Sequence, residues 1–521
     1  MSVGSLAHGD RRPALGKPGA LWRRVLADRA ALAVSGLTVL AAVLRFYRLG
    51  HQGFWFDEGN TALLVRFSPG KMIGLIPQSE STPPLYYMVA WVWARIFGYA
   101  EAGLRSLSAV AGVLVVPVAY GVGAKLVTRR VGVVAAALAA CNPLLIWYSQ
   151  EARSYELLVL LTGVALLAFA YATEQPRPAL LLAWTAASAL ALSIHYYAVL
   201  GIVPQAIALL IRHRRDRAVQ LAVAIVILCG AALIPLAIAQ NATGHDDWIA
   251  TTSLSLRLGQ IIPQFLIGTG MPVHPVLEPI AAAIAVGAIL LVLVRAEERE
   301  RHGALLAGGL AIAGLVLMLI FVAVGVDDLI TRNLLAIWLA AAVLVAGGLG
   351  ARRAGVLGIL ATAAICAIGV TAVAGVDFDR RLQRPDWRPV ARSLGPLPDA
   401  GTEARAILIQ HYRTLLPLSL YLPRLQKLHR PGARVSQFDV ISIRSPQEAV
   451  CWWGAACNLI PSQLQAGYPV PGFRDTSRRR VRQFTILQMT ASRPVLLRPS
   501  AVSAVLRTTR LAHDELLIQR P

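Results

Sequence analysis

Apolar runs of about 14 to 23 residues recur along most of this chain, set apart by short polar links, as in helices solvated by hydrocarbon. They predict spans at about 30–48, 105–124, 131–148, 156–172, 179–194, 198–211, 219–239, 276–294, 304–324, 333–350 and 354–376, about eleven in all. One apolar run departs from this pattern. Pro84 to Gly98 covers only about 15 residues, holds Arg95 and carries Tyr86, Tyr87, Trp91 and Trp93. Crossing takes about 20 mainly apolar residues and aromatic rings favour the interface, so a helix lying flat on the membrane is expected there.

Charge orients the spans. Cytoplasmic links collect Arg and Lys. With the flat helix in place, Arg23, Arg24 and Arg29, Lys125, Arg129 and Arg130, Arg177, the Arg212–Arg217 cluster, Arg295–Arg301, and Arg352 with Arg353 all fall on one side. The reading is an all-α polytopic protein of the plasma membrane with its amino terminus in the cytoplasm. Residues 1–29 form a disordered cytoplasmic tail before an uncleaved first span, 30–376 the membrane domain, and 377–521 an extracytoplasmic domain. The last segment carries 22 Arg and Lys against 10 Asp and Glu, a balance of 22 − 10 = +12. Its Ala406–Ile409 run predicts a strand and the Leu-rich stretch to Leu422 a helix, hence a small α/β domain.

Composition supports the membrane reading. Apolar residues are 56% of the 521 and charged residues 15%, where soluble domains carry about 25%. The net charge of +22 does not mark a nucleic-acid binder, because the arginines sit in links between apolar runs and no aromatic-flanked basic patch accompanies them. Cys141, Cys229 and Cys366 lie inside apolar runs. Cys451 and Cys457 can pair only if their segment lies outside the cytoplasm. The preference for Arg over Lys points to a GC-rich bacterial source.

Candidate chemistry then gathers on the outer face. The first outer loop holds Asp57, Glu58, Lys71, Glu80 and the Thr82-Pro83-Pro84 turn, with Arg105 opening the next span. The second runs from Trp147 to Tyr155 through Tyr148, Glu151 and Arg153. Later loops bring His195-Tyr196-Tyr197, His245-Asp246-Asp247-Trp248 and Asp327-Asp328 with Arg332. Each has a plainer reading. Asp57 and Glu58 can cap a helix, Arg105 and Arg153 can anchor at the interface, His195 can be a hydrogen-bonded interfacial group, and Asp327 and Asp328 can belong to a hydrophilic loop.

Trp55-Phe56-Asp57-Glu58, Thr82-Pro83-Pro84-Leu85-Tyr86-Tyr87, Phe97-Gly98, Arg105-Ser106-Leu107-Ser108-Ala109, and Pro143 with Tyr148 to Tyr155 occur in that order. With weaker echoes at His195-Tyr196, Thr331-Arg332-Asn333 and Pro385-Asp386-Trp387-Arg388, they resemble the GT-C membrane glycosyltransferases. The nearest likeness is to the bacterial group related to protein O-mannosyltransferases and the lipid A aminoarabinose transferase. Thr82 departs from relatives that place a charged or His residue before the Pro-Pro pair.

The resemblance implies a sugar, mannose among the candidates, carried on a polyprenyl phosphate and passed to a hydroxyl of a glycan, glycolipid or protein acceptor at the membrane surface. A carboxylate must then deprotonate that hydroxyl: Asp57 is the first choice, with Glu58 beside it able to exchange roles. Arg332 and Arg153 would face the lipid phosphate, Arg105 would support the acidic loop, and Tyr148, Glu151, Tyr155 and His195 would complete the substrate site. Single displacement predicts inversion. Asp57, Glu58 and Glu151 are also oxygen donors of the kind magnesium or manganese takes, which leaves a divalent metal open. The competing readings are a transporter or flippase of lipid-linked sugars and a scaffold that displays the basic outer segment.

Overall fold

The computed structural model describes residues 29–268, 274–379, 382–395, 404–409, 415–429, 431–443, 470–482, 484–498 and 515–520. The expected disordered tail up to residue 28 and the Cys451–Cys457 pair lie outside them.

Every predicted span is a helix. The chain enters through α1 (Arg29–Phe46), makes three short helices, α2 (Phe56–Leu64), α3 (Pro69–Ser79) and α4 (Leu85–Phe97), and continues into α5 (Glu101–Leu126). Next come α6 (Arg129–Cys141), α7 (Pro143–Ser149), α8 (Tyr155–Ala172), α9 (Pro178–Ile194), α10 (Val199–Arg212) and α11 (Arg217–Asn241). After these run α12 (Leu254–Ile267), α13 (His274–Val294), α14 (Glu298–Ala323), α15 (Leu335–Leu349) and α16 (Gly355–Phe378).

Among the described residues eight helices are long and apolar enough to cross a membrane, or nine if the bent pair α6–α7 is one span. The sequence predicts eleven spans, and by length and composition eight or nine of the described helices meet the requirement for crossing. α9 has 17 residues, which at 1.5 Å per residue reach roughly 26 Å, short of a typical 30 Å core.

Two features modify the predicted spans. The 131–148 run is bent by 56° between Cys141 and Pro143. Proline cannot donate to the preceding turn, and the Asn142 side chain caps the new helix by accepting from Leu145 N at 3.0 Å. α12 was not predicted; it packs beside α7 and α13. The flat-lying candidate is α4, 13 residues or roughly 20 Å, with Tyr86, Tyr87, Ala90 and Ala94 buried and Met88, Val92 and Ile96 exposed.

Lipid is the natural solvent for the exposed apolar side chains, among them Leu182, Ile211, Leu228, Val294 and Leu357. Helices meet through small residues: a Cβ on Gly123 of α5 would stand 2.8 Å from the Gly132 Cα of α6. Charge is also buried in the bundle. Arg45 donates to Ser149 Oγ at 3.0 Å and to the Ala140 and Ala139 carbonyls at 3.0 and 2.9 Å, using the acceptors freed where α6 ends.

Beyond α16, a short helix α17 (Trp387–Leu394) precedes β1 (Ala404–Ile409) and α18 (Leu415–Tyr421). The sheet is completed by β2 (Leu425–Lys427), β3 (Ala433–Ile443), β4 (Arg474–Val481), β5 (Phe484–Leu497) and β6 (Glu515–Gln519), in the order β2-β6-β1-β3-β5-β4. Among the described strands only β1 and β3 pair in parallel. Alternation along β1 sends Ile407 and Ile409 to the face covered by α17 and α18, and Ala406 and Leu408 to the opposite core. The expected strand at 406–409 and helix ending near Leu422 are both present.

Candidate active site

The site is built on the first turn of α2. Asp57 and Glu58 are successive helical residues, so their side chains leave the axis about 100° apart, as the 3.6-residue turn requires. Acids in the first turn complement the helix dipole, although no side chain makes a cap bond there.

Glu58 turns inward and is fully buried. Arg105 grips it with two bonds, Nε to Oε1 and Nη2 to Oε2, each 2.6 Å, and Ala152 N donates to Oε1 at 2.8 Å. The rest of that guanidinium donates to the carbonyls of Leu49, Gln52 and Gly53. Burial pushes the Glu58 carboxyl up, but the Arg105 charge and hydrogen bonds outweigh it and hold the acid ionised, below its usual range. The pair thus ties α2 and the loop before it, α5 and the loop before α8 together.

Asp57 turns the other way. Its Oδ2 accepts from Arg332 Nη1 at 3.0 Å, with the two side chains 14% and 16% exposed. The Arg332 guanidinium carbon stands 5.8 Å from the Tyr155 ring centre and 5.7 Å from that of Trp248, and its buried Nε has no hydrogen-bond partner. A cation with an unpartnered donor and a partly exposed acid are therefore paired.

Arg153 is committed elsewhere. It donates to Glu80 Oε2 at 2.8 Å, and Asn60 holds the other Glu80 oxygen at 2.6 Å. Its contact to the Asp57 carbonyl is 3.4 Å. Arg153 thus supports the backbone of the acidic turn, and its buried Nε is unpartnered.

The aromatic candidates form a row. Tyr148 and Tyr155 have ring centres 4.7 Å apart, Tyr155 and His195 5.5 Å, and His195 and Tyr197 5.7 Å. His195 Nδ1 accepts from Tyr197 N at 3.3 Å. Burial, then the charges of Arg153 and Arg332, push the imidazole down to about 3, so it is neutral at physiological pH, with Nδ1 accepting and its one proton on Nε2.

Glu151 is also fully buried, with neither oxygen hydrogen-bonded. Arg384 Nη2 lies 3.4 Å away. Burial lifts the acid to about 7 against the pull of Arg384. The residues do not fit a metal site: Asp57, Glu58 and Glu151 each face a guanidinium, and no three His, Cys, Asp or Glu side chains gather to hold an ion among the described residues. Asp327, a candidate from its loop, is held by Arg257 through two bonds of 2.7 Å, and Asp328 accepts from the Tyr197 hydroxyl.

Glu80 and Trp248, named in their loops without a role, respectively orient Arg153 and flank Arg332. Arg384, beyond the last span, stacks 3.8 Å from the Trp147 ring centre and donates to the Gln150 carbonyl at 3.1 Å. Its signal was the adjacent Pro385-Asp386-Trp387-Arg388 echo. Tyr421 of α18 also reaches the first loop, accepting from Phe54 N at 2.8 Å and donating to Glu101 Oε1 at 2.7 Å.

An acidic first loop is thus answered by arginines from later loops, on a helical bundle with a sheet domain beyond it. Residues 81–239 match the family model of dolichyl-phosphate-mannose-protein mannosyltransferases. The fold aligns with ArnT from Cupriavidus metallidurans in the apo state, with TM-score 0.55 and 13% identity, over 90% of this chain and 98% of that one. Against ArnT bound to undecaprenyl phosphate the TM-score is 0.50 and the identity 14%, over 87% and 97%. No curated protein matches the chain by sequence. The chain is thus similar to the dolichyl-phosphate-mannose-protein mannosyltransferases over residues 81–239 and shares the ArnT fold, in line with the resemblance of its motifs.

Proposed function

We propose that this protein is an integral membrane glycosyltransferase that moves a sugar from a polyprenyl phosphate to an acceptor hydroxyl at the extracytoplasmic surface, with inversion. The observation that carries this reading is the Asp57–Arg332 pair, an accessible carboxylate beside a guanidinium with an unpartnered buried donor. Asp57 takes the hydroxyl proton as the acceptor oxygen bonds to the anomeric carbon from one face. The bond from that carbon to the phosphate oxygen breaks on the other, and the phosphate leaves with the electron pair.

Arg332 meets the growing phosphate charge with its remaining donors while one nitrogen keeps Asp57 in place. Glu58, locked to Arg105, sets the direction in which Asp57 points. Glu151 is too deeply buried to meet an acceptor, and Arg153 acts by holding the turn. The family description names mannose and the second ArnT structure holds undecaprenyl phosphate, which supports a lipid-linked donor of this kind. The orientation follows from the basic links, which we assign to the cytoplasm, with residues 377–521 outside.

The test is to place the purified protein in nanodiscs with a panel of radiolabelled polyprenyl-phosphate sugars and membrane acceptors, beside Asp57→Asn. Transfer by the native chain and its loss in the variant support the reading. Movement of lipid-linked sugar across vesicles without any transfer would replace it with a transporter.

A further inference from the structure

A groove of about 930 Å³ opens on the far side of the turn that Arg105 cradles, between residues Gly50 and His51 of the first loop and the outer domain. Arg388, Arg392 and Arg482 line it, with Asp386 as the one lining carboxylate. That acid is already neutralised twice. Arg388 Nε donates to its Oδ1 at 2.9 Å, and Arg482 Nη1 donates to its Oδ2. Arg388 is further fixed by the Gly50 carbonyl at 3.1 Å and by Glu101 at 3.6 Å.

Arg392 is different. It is exposed at the groove and has no polar partner among the described residues. His51 is surrounded by the same positive field: burial first, then Arg48, Arg482 and Arg388, hold its imidazole below the usual value. Leu420 and Leu422 add an apolar wall. The groove thus keeps excess positive charge beside an apolar surface, at a place distinct from the Asp57–Arg332 pair.

We propose that this groove binds the phosphate group of the acceptor, or of a lipid that accompanies it. A phosphate ester offers several oxygens and up to two negative charges, which suits guanidinium forks arriving from two elements, α17 and the β4–β5 turn. Assigning the ligand to the acceptor rests on the glycosyltransferase reading; the binding site itself does not.

The probe is radiolabelled inorganic pyrophosphate, measured by equilibrium binding to the full-length chain in neutral phosphatidylcholine nanodiscs. The comparison variants are Arg392→Ser with Arg482→Ser, their Lys counterparts, and Arg332→Ala. The Ser pair should weaken the groove component by about tenfold per arginine, the Lys pair should keep most of it, and Arg332→Ala should leave it intact. A Ser pair that is monodisperse and binds as the native chain does overturns the site. So does loss of all binding in Arg332→Ala. Nanodiscs containing phosphatidylglycerol separate the sources: competition with pyrophosphate assigns the groove to an accompanying lipid head group, and its absence to the phosphate of the acceptor. If no sugar transfer is detected but the Ser pair still loses pyrophosphate, the groove stands and the reaction assigned to Asp57 falls.

Discussion

Asp57 and Glu58 are neighbours in the chain whose carboxylates answer two different arginines. The first meets Arg332 at 3.0 Å, and the second is clasped by Arg105 through paired 2.6 Å bonds. That divergence separates their duties and makes them separable by mutation. Asp57→Asn should lower sugar transfer by at least about a hundredfold with little change in melting temperature. Glu58→Gln should instead depress yield and thermal midpoint, because breaking a buried pair costs about 3–5 kcal/mol. Transfer assays and melting curves on both variants check this; equal effects on stability would refute the division.

Arg332→Ala should reduce turnover about a hundredfold, the usual scale for a charge donor positioned at a leaving group. Arg332→Lys should fall between, since an ammonium keeps the charge but not the fork. Initial rates at saturating donor decide the matter, and an undiminished rate in the Ala variant would remove Arg332 from the reaction.

Glu151 gives a pH prediction. Its folded-state value of about 7 lies above the ordinary 4.5, so the folded chain holds this proton more tightly than the unfolded one. Stability from this group is fully present below about 4.5 and declines as pH rises to about 7, by an amount on the order of 3 kcal/mol. Glu151→Gln should flatten that decline. Thermal midpoints of native and variant protein between pH 4.5 and 8 measure the difference, and parallel curves would contradict the assignment.

Gly112 lies where a side chain has no room. A Cβ there would stand 2.1 Å from Ser149 Oγ, 2.7 Å from Arg45 Nε and 2.9 Å from Glu156 Oε2. Gly112→Ala should therefore lower the thermal midpoint by several degrees, and adding Ser149→Ala should restore part of it by removing the nearest atom. Melting curves of the single and double variants test the coupling.

Much of the membrane part could be read from sequence because hydrocarbon tolerates little besides apolar helix, so each span leaves a run of its own. Hydropathy does not register a bend, which is why the break at Asn142-Pro143 was read as one straight span. α12 escaped because Arg257, Gln260, Pro263 and Gln264 interrupt its apolar residues. Asp57 and Arg332 are 275 residues apart, and only the shared outer face of their loops hinted that they would meet. Arg105, expected to support the acidic loop, bonds to Glu58 within it, whereas the commitment of Arg153 to Glu80 depends on side-chain packing that spacing does not reveal. Arg384 lay outside the aligned motifs, and Arg45 and Glu156, charged residues within predicted spans, deserved the suspicion that intramembrane charge invites.

The hydroxyl of Tyr421 joins the backbone of the acidic turn to Glu101, and a Cβ on Gly53 would fall 2.6 Å from Asp386. Chimaeras that swap the sheet portion between relatives must therefore preserve this fit, or the donor half of the hybrid will push the turn out of line. The few side chains at this seam cannot be exchanged independently of the loop they touch.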